Sequence, residues 1–210
     1  MSVATATHPE ASRDRDRIVN LSDGVFAIAI TLLVLDIHVP GIPENRVVTE
    51  LPAALLALWP KYLGYILSFV GISTFWMIHH SIFRPIRAYD RGLLYLNFLF
   101  LMLVAFLPFP TSLLGEYGGH QLPVAIYAGT LATGRLLLTA IHWYSTRNHH
   151  LVDELQDPRT MQFFLIRGLI IPAIFLLSIA ISFFSVSAAI WMWFIMLAVD
   201  AVILRRRMPR

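Results

Sequence analysis

The sequence predicts an all-α membrane protein, with six transmembrane helices in one chain and both termini in the cytosol. Three observations predict it. Of 210 residues, 57% are hydrophobic and only 14% charged, whereas a soluble domain is usually about a quarter charged. The apolar residues gather into segments long enough for a bilayer core, which takes roughly 20 residues of helix. Arginine and lysine gather between those segments, mostly on one side of the membrane. The same composition excludes other classes. There is no cysteine, so neither a disulfide framework nor a thiolate metal site is available. The formal charge of +3 is spread between apolar segments rather than gathered in one patch, so no nucleic-acid partner is expected.

The elements follow in order. Residues 1–16, from "MSVATATHPEASRDRDR", are polar, mix both charges and lack an apolar core. They read as a short cytosolic lead, mobile up to about Asp14, and not as a cleaved signal peptide. Span one lies near 18–39. The stretch "VVTELPAALLALWP" is too short to span and is broken by Pro52 and Pro60, so it reads as a short surface helix leading to span two, near 60–83. Spans three to six lie near 92–114, 121–145, 161–184 and 187–204. A single transmembrane domain, 17–205, is followed by a basic tail, 206–210; the longest non-membrane piece after span one has about 20 residues, and no internal repeat is evident.

With the N-terminus inside, the inner segments hold Arg13, Arg15, Arg17, Arg84, Arg87, Arg91, Arg147, Arg159, Arg205, Arg206, Arg207 and Arg210, and the outer segments only Arg46 and Lys61. Twelve against two is a strong positive-inside bias. Arg135 and Arg167 remain within spans four and five.

Asp23 needs a physical account. A carboxylate within a span costs roughly 2.5–3.5 kcal/mol at a helix centre, and less towards an end. Counting along the spans places Asp23, His79, His80, Asn97, His142, Arg167 and Asp200 in one layer near the cytosolic face. Such groups face the protein interior and pair, which predicts an interhelical network. The alternative is that Ser22 and Asp23 cap a helix starting at Gly24. That helix would run only about 24 Å to Pro40, short of the roughly 30 Å core. Arg17 and Asp23, six residues apart, do not share a helical face. Trp76, His80 and Arg84 share one face of span two, and His79 and Phe83 the next. The histidine pair has no acidic or cysteine partner at helical spacing, so no metal site is expected. His142, His149, His150, Asp153 and Glu154, in "HWYSTRNHHLVDEL", read as a solvated loop at the inner membrane edge.

Ile28, Leu32 and Leu35 recur at i, i+4 and i+7, on one face of span one. Gly24, Ala27 and Thr31 form an adjacent face of small residues, suited to close helix contact. Periodicity alone assigns such a stripe to lipid or core.

"RIVNLSDGVFAIAITLLVL" and "FWMIHHSIFRPI" resemble the first and second helices of bacterial potassium channels of the transmembrane protein 175 family. That family opens its first helix with Arg-x-x-x-Phe-Ser-Asp-Gly; Leu21 stands here where phenylalanine is usual, a change expected to alter packing. The resemblance implies a homotetramer in a bacterial inner membrane, surrounded by lipid and permeable to monovalent cations. The permeant ion would be K+, with no cofactor and no enzymatic activity. The first helix of each subunit would line the pore. Bulky apolar rings would replace a re-entrant filter loop, and the sequence has no "TVGYG". The rings fall on Ile28, Leu32 and Leu35, with Thr31 behind the constriction as support for potassium preference. Such a neck would close by dewetting. Arg17, Ser22, Asp23, Trp76, His79, His80 and Asn97 would hold the pore helix. Asp36, one turn beyond Leu32, reads either as an acidic ring at the outer mouth or as a plain helix end. The rival is a proton-coupled secondary transporter using Asp23, His79 and His80, which needs a polar midplane and interrupted helices; the midplane holds little besides Arg135. A membrane enzyme would need a nucleophile or cofactor loop beside those residues, and no such motif accompanies them.

Overall fold

The structure, a computed structural model, describes residues 9–147, 151, 152, 158–194 and 196, with side chains outside 9–16 and 158–163. Among the described residues the secondary structure is helical, apart from an isolated bridge between Ile86 and Val152. Helix α1 (Pro9–Leu32) passes into a 3₁₀ turn, Leu33–Asp36. A second 3₁₀ turn, Glu44–Arg46, precedes α2 (Val47–Ala57) and α3 (Trp59–Phe83). Then come α4 (Arg91–Phe106), α5 (Pro108–Tyr117), α6 (Gln121–Arg147) and α7 (Pro158–Ser182), and residues 186–194 are again helical.

Among the described residues, five stretches are long and apolar enough to cross a membrane: Arg17–Asp36, Trp59–Phe83, Arg91–Tyr117, Gln121–Arg147 and Phe164–Ser182. The sixth expected span falls largely outside the described residues, together with Asp200, Arg205, Arg206, Arg207 and Arg210. His149, His150, Asp153 and Glu154 lie outside them as well.

Three local features sharpen the sequence reading. The described part of the expected lead belongs to α1. Among the described residues α1 is already helical from Pro9 onward. Ser22 and Asp23 do not cap a helix, because α1 runs unbroken through them. The Ser22 hydroxyl donates to the carbonyl of Ile18 at 2.9 Å, the back-bond of a serine inside a helix. Span three is not one straight helix. Pro108 and Pro110 have no N–H for the carbonyls of Val104 and Phe106, so α4 gives way to α5 at Leu107, whose own N–H tightens onto Val104 O at 3.2 Å.

The short helix α2 tolerates Pro52 in its interior and buries none of its residues. Helix α4 is started by Asp90, whose carboxylate accepts from the Leu93 N–H at 2.8 Å and from the Tyr144 hydroxyl of α6 at 2.8 Å. Helix α6 is the hub. It packs along α7 and also against α3, α4 and α5. Its approach to α3 depends on Gly134, where an added Cβ would lie 2.6 Å from a Phe75 ring carbon. Between lipid-bathed helices, close packing of this kind supplies the attraction that the hydrophobic effect supplies in water. Helix α1 stands at the rim. It packs chiefly on α3 and α4, and its other side meets no further element among the described residues.

Candidate functional site

The covered side of α1 carries Ser22, Phe26, Ala29 and Leu33, all buried. At Ser22 and Asp23 the helix is clamped from two other helices. On the α4 side, Asn97 is 1% exposed and donates through Nδ2 to the Ser22 hydroxyl at 3.2 Å. The Asn97 oxygen bonds His79 Nε2 of α3 at 2.9 Å, which fixes that nitrogen as the one carrying the proton. The His79 ring stacks on Phe83 with centroids 4.1 Å apart, and has Phe100 and Phe26 at 5.8 and 5.6 Å. From the other edge of α3, the Trp76 indole N–H donates to an Asp23 carboxylate oxygen at 2.8 Å, and Trp76 stacks on His80 at 5.4 Å. Adjacent residues on α1 are therefore held by different partners, Ser22 by Asn97 and Asp23 by Trp76. Asp23 is half-buried and lines a cavity of about 260 Å³ together with Asn20, His80 and Arg84.

Other members of the expected layer lie elsewhere. Arg17 is exposed and makes no ion pair with Asp23 within the chain. His142 is buried on α6, with its ring 4.4 Å from Phe164 of α7, and does not join the Ser22–Asn97–His79 cluster. Among the described residues no three histidine or acidic side chains converge as metal ligands.

The bare side of α1 carries the apolar stripe. Ile28, Leu32 and Leu35 are 61%, 42% and 66% exposed within the chain, whereas Leu33 is 2% exposed. Thr31 is exposed beside them, its hydroxyl donating to Ile28 O at 2.9 Å. The stripe is thus not part of the subunit core. Asp36 is half-buried and accepts from the Ser112 hydroxyl of α5 at 2.5 Å. Next to it, Lys61 and Glu116 form an ion pair at 2.7 Å.

Sequence reasoning missed a second polar knot, between α3, α5 and α6. Ser68 of α3 bonds the Thr111 hydroxyl of α5 at 2.7 Å and the Tyr127 hydroxyl of α6 at 2.9 Å. It also missed Trp193, whose indole N–H donates to Ser178 at 2.6 Å. Small hydroxyl residues are common in spans, and only their position on inward faces marks these ones. Asp90 was legible in principle, since an aspartate directly before an apolar periodic run signals a helix start.

Comparison with known proteins gives concordant results. The family model of the endosomal/lysosomal potassium channel TMEM175 matches residues 17–108, a stretch that contains α1 from Arg17 onward, the whole clamp and the stripe. A potassium channel of Chamaesiphon minutus is 36% identical over 193 residues, 90% of this chain and 93% of the relative. A potassium channel of Streptomyces collinus is 41% identical over 145 residues, 67% of this chain and 69% of the relative. The crystal structure of a lysosomal potassium-selective channel TMEM175 homolog from Chamaesiphon minutus aligns with a TM-score of 0.79 at 35% identity, covering 91% of this chain and 98% of that one.

Proposed function

Because the chain belongs to the TMEM175 family of potassium channels, we propose that it is a potassium-preferring cation channel of a bacterial plasma membrane, its pore built from α1 of four copies. One observation carries this reading. Helix α1 is anchored on one side only, and its other side presents Ile28, Leu32 and Leu35 to whatever lies outside the subunit. A single stripe cannot enclose a pore, whereas four copies in closed cyclic symmetry can. The residues at positions 28, 32 and 35 then form stacked apolar rings. A neck so lined empties of water, and an ion shed of its hydration shell does not cross it. Slight widening rewets the neck and opens the pore. No re-entrant filter loop is needed; Thr31, behind the Leu32 ring with its hydroxyl tied to Ile28 O, supports potassium preference by fixing the local helix geometry. The clamp at Ser22, Asp23, Trp76, His79 and Asn97 keeps the inner end of the helix in place.

The test is current through purified protein in liposomes, with potassium opposed to sodium and a proton gradient imposed separately. Passive flux following voltage, with a reversal potential displaced towards potassium, is the expected result. Ile28→Ser should raise conductance and weaken the preference, because four hydroxyls hold water where none was stable. A conducting monomer, saturable exchange driven by protons, or no effect at Ile28 would overturn the reading.

A further inference from the structure

The outer end of α1 is held differently from its inner end. At Leu33 the helix tightens to 3₁₀ and stays so to Asp36. In a 3₁₀ turn residues three apart eclipse one another. Leu33 and Asp36 therefore share one side of the turn, and Leu32 and Leu35 the other. The environments match this division. Leu33 is buried and Asp36 half-buried against the subunit, while Leu32 and Leu35 are exposed. Had the α-helix continued, three steps of 100° would leave Leu35 about 60° out of line with Leu32.

Side chains of α5 and α3 hold the turn. One Asp36 oxygen accepts from Ser112 of α5 at 2.5 Å. A Cβ placed on Gly115 would lie 3.4 Å from the other oxygen and 3.3 Å from the Lys61 stem, so α5 runs in close contact with both. Lys61 is engaged by Glu116 at 2.7 Å, and the ring of His38 reaches back to the Asp36 carbonyl at 2.9 Å. After Asp36 the chain leaves the helix, with Ile37 at φ −85° and ψ 84°. The Asp36 carboxylate is thus the outermost helical anchor of α1.

We propose that Ser112 is a positioning residue of the pore: by holding Asp36 it fixes the 3₁₀ turn, and with it the direction of the Leu35 side chain. This rests on reading α1 as the pore helix. It gives Asp36 a tethering role at the outer mouth in place of a cation-gathering one, and it makes the outer, proline-started half of span three a partner of the pore.

The chain has no cysteine, so Leu35→Cys introduces a single thiol into the full-length channel. A neutral hydroxyethyl methanethiosulfonate added outside reports its direction through the rate at which current changes, free of local charge effects. In the otherwise native channel the thiol should react and alter current. Ser112→Ala should slow that reaction about fivefold, the weight of one net hydrogen bond, and speed the reaction of Val34→Cys. Asp36→Ala should match it, and the two together should add nothing further. Ser112→Thr and Asp36→Asn, which keep a donor and an acceptor, should react at the native rate, and they carry the test if Ser112→Ala does not assemble. Unchanged rates in Ser112→Ala, additive effects, or a changed rate in Asp36→Asn would overturn the tether. A thiol at position 35 that gains mass without altering current would overturn it through its premise, the pore reading itself.

Discussion

Replacing Asn97 by leucine tests the clamp on α1 most directly, because leucine keeps the branching and the number of side-chain heavy atoms and removes both polar groups. Two bonds are lost, to Ser22 at 3.2 Å and to His79 at 2.9 Å. Their consequences differ. Ser22 keeps its donor bond to Ile18 O, so it loses only an accepted bond. His79 is 2% exposed and keeps no partner for its Nε2 proton. Hydrogen bonds between membrane helices average ~0.6 kcal/mol, with a maximum near ~1.7, and an orphaned buried donor costs ~1–3 kcal/mol. Asn97→Leu should therefore cost about 2 kcal/mol, or roughly a thirtyfold shift in the folded-to-unfolded ratio. The decisive comparison is with the pair His79→Leu and Asn97→Leu together. When both partners become apolar no orphan remains, so the double variant should be more stable than the sum of the singles by at least ~1 kcal/mol. Unfolding in mixed micelles of rising SDS fraction measures all four proteins. Native stability in Asn97→Leu, or strict additivity in the double variant, would refute this account of the clamp.

The remaining predictions follow the same geometry. Asp23→Ala removes the acceptor of the Trp76 indole and should lower the yield of assembled channel while leaving the ion preference of what assembles intact; Trp76→Phe should behave alike, read by size-exclusion chromatography and reversal potentials. Leu33→Ala should cost about 2–5 kcal/mol as a buried truncation, whereas Ile28→Ala, on the exposed stripe, should change current far more than subunit stability, separable by thermal melts against single-channel records. Asp90→Ala, losing the start of α4 and the Tyr144 bond, should destabilise by about 1–2 kcal/mol; hydrogen exchange should locate the loosening at Arg91–Tyr95.

Much of this molecule is readable as sequence because membrane insertion restricts what a chain can do. Backbone groups in lipid must bond internally, so long apolar segments become helices with few alternatives, and the described spans begin and end within a few residues of where hydropathy puts them. Kinks were less legible. Pro108 and Pro110 announce a break in span three, yet hydropathy runs through them unchanged. The inner clamp was partly legible: a buried carboxylate requires partners, and Trp76, His79 and Asn97 stood at matching depth. Depth did not distinguish His142, which the count along the spans puts in the same layer but which packs on Phe164 of α7. A layer fixes one coordinate, and rotation about each helix fixes the rest.

That rotation is what hydrophobicity failed to give for α1, and the structure shows why. The helix carries two apolar seams, one residue out of step. Leu21, Ile28, Leu32 and Leu35 lie on the bare side; Ser22, Ala29, Leu33 and Asp36 follow each of them by one position on the covered side, with Phe26 between. One step is 100° of rotation, so both seams look alike to any measure of apolar periodicity. They differ at their ends. The covered seam begins in Ser22 and finishes in Asp36, and each of these polar groups is bonded to another helix. In a span, polar side chains turn towards protein, so the seam with polar ends is the anchoring one, and the wholly apolar seam is left to face outward. Read in this way, the polar residues of span one do more than tolerate burial: they set the rotation of the helix, and thereby decide that Ile28 and Leu32, rather than Ala29 and Leu33, face away from the subunit.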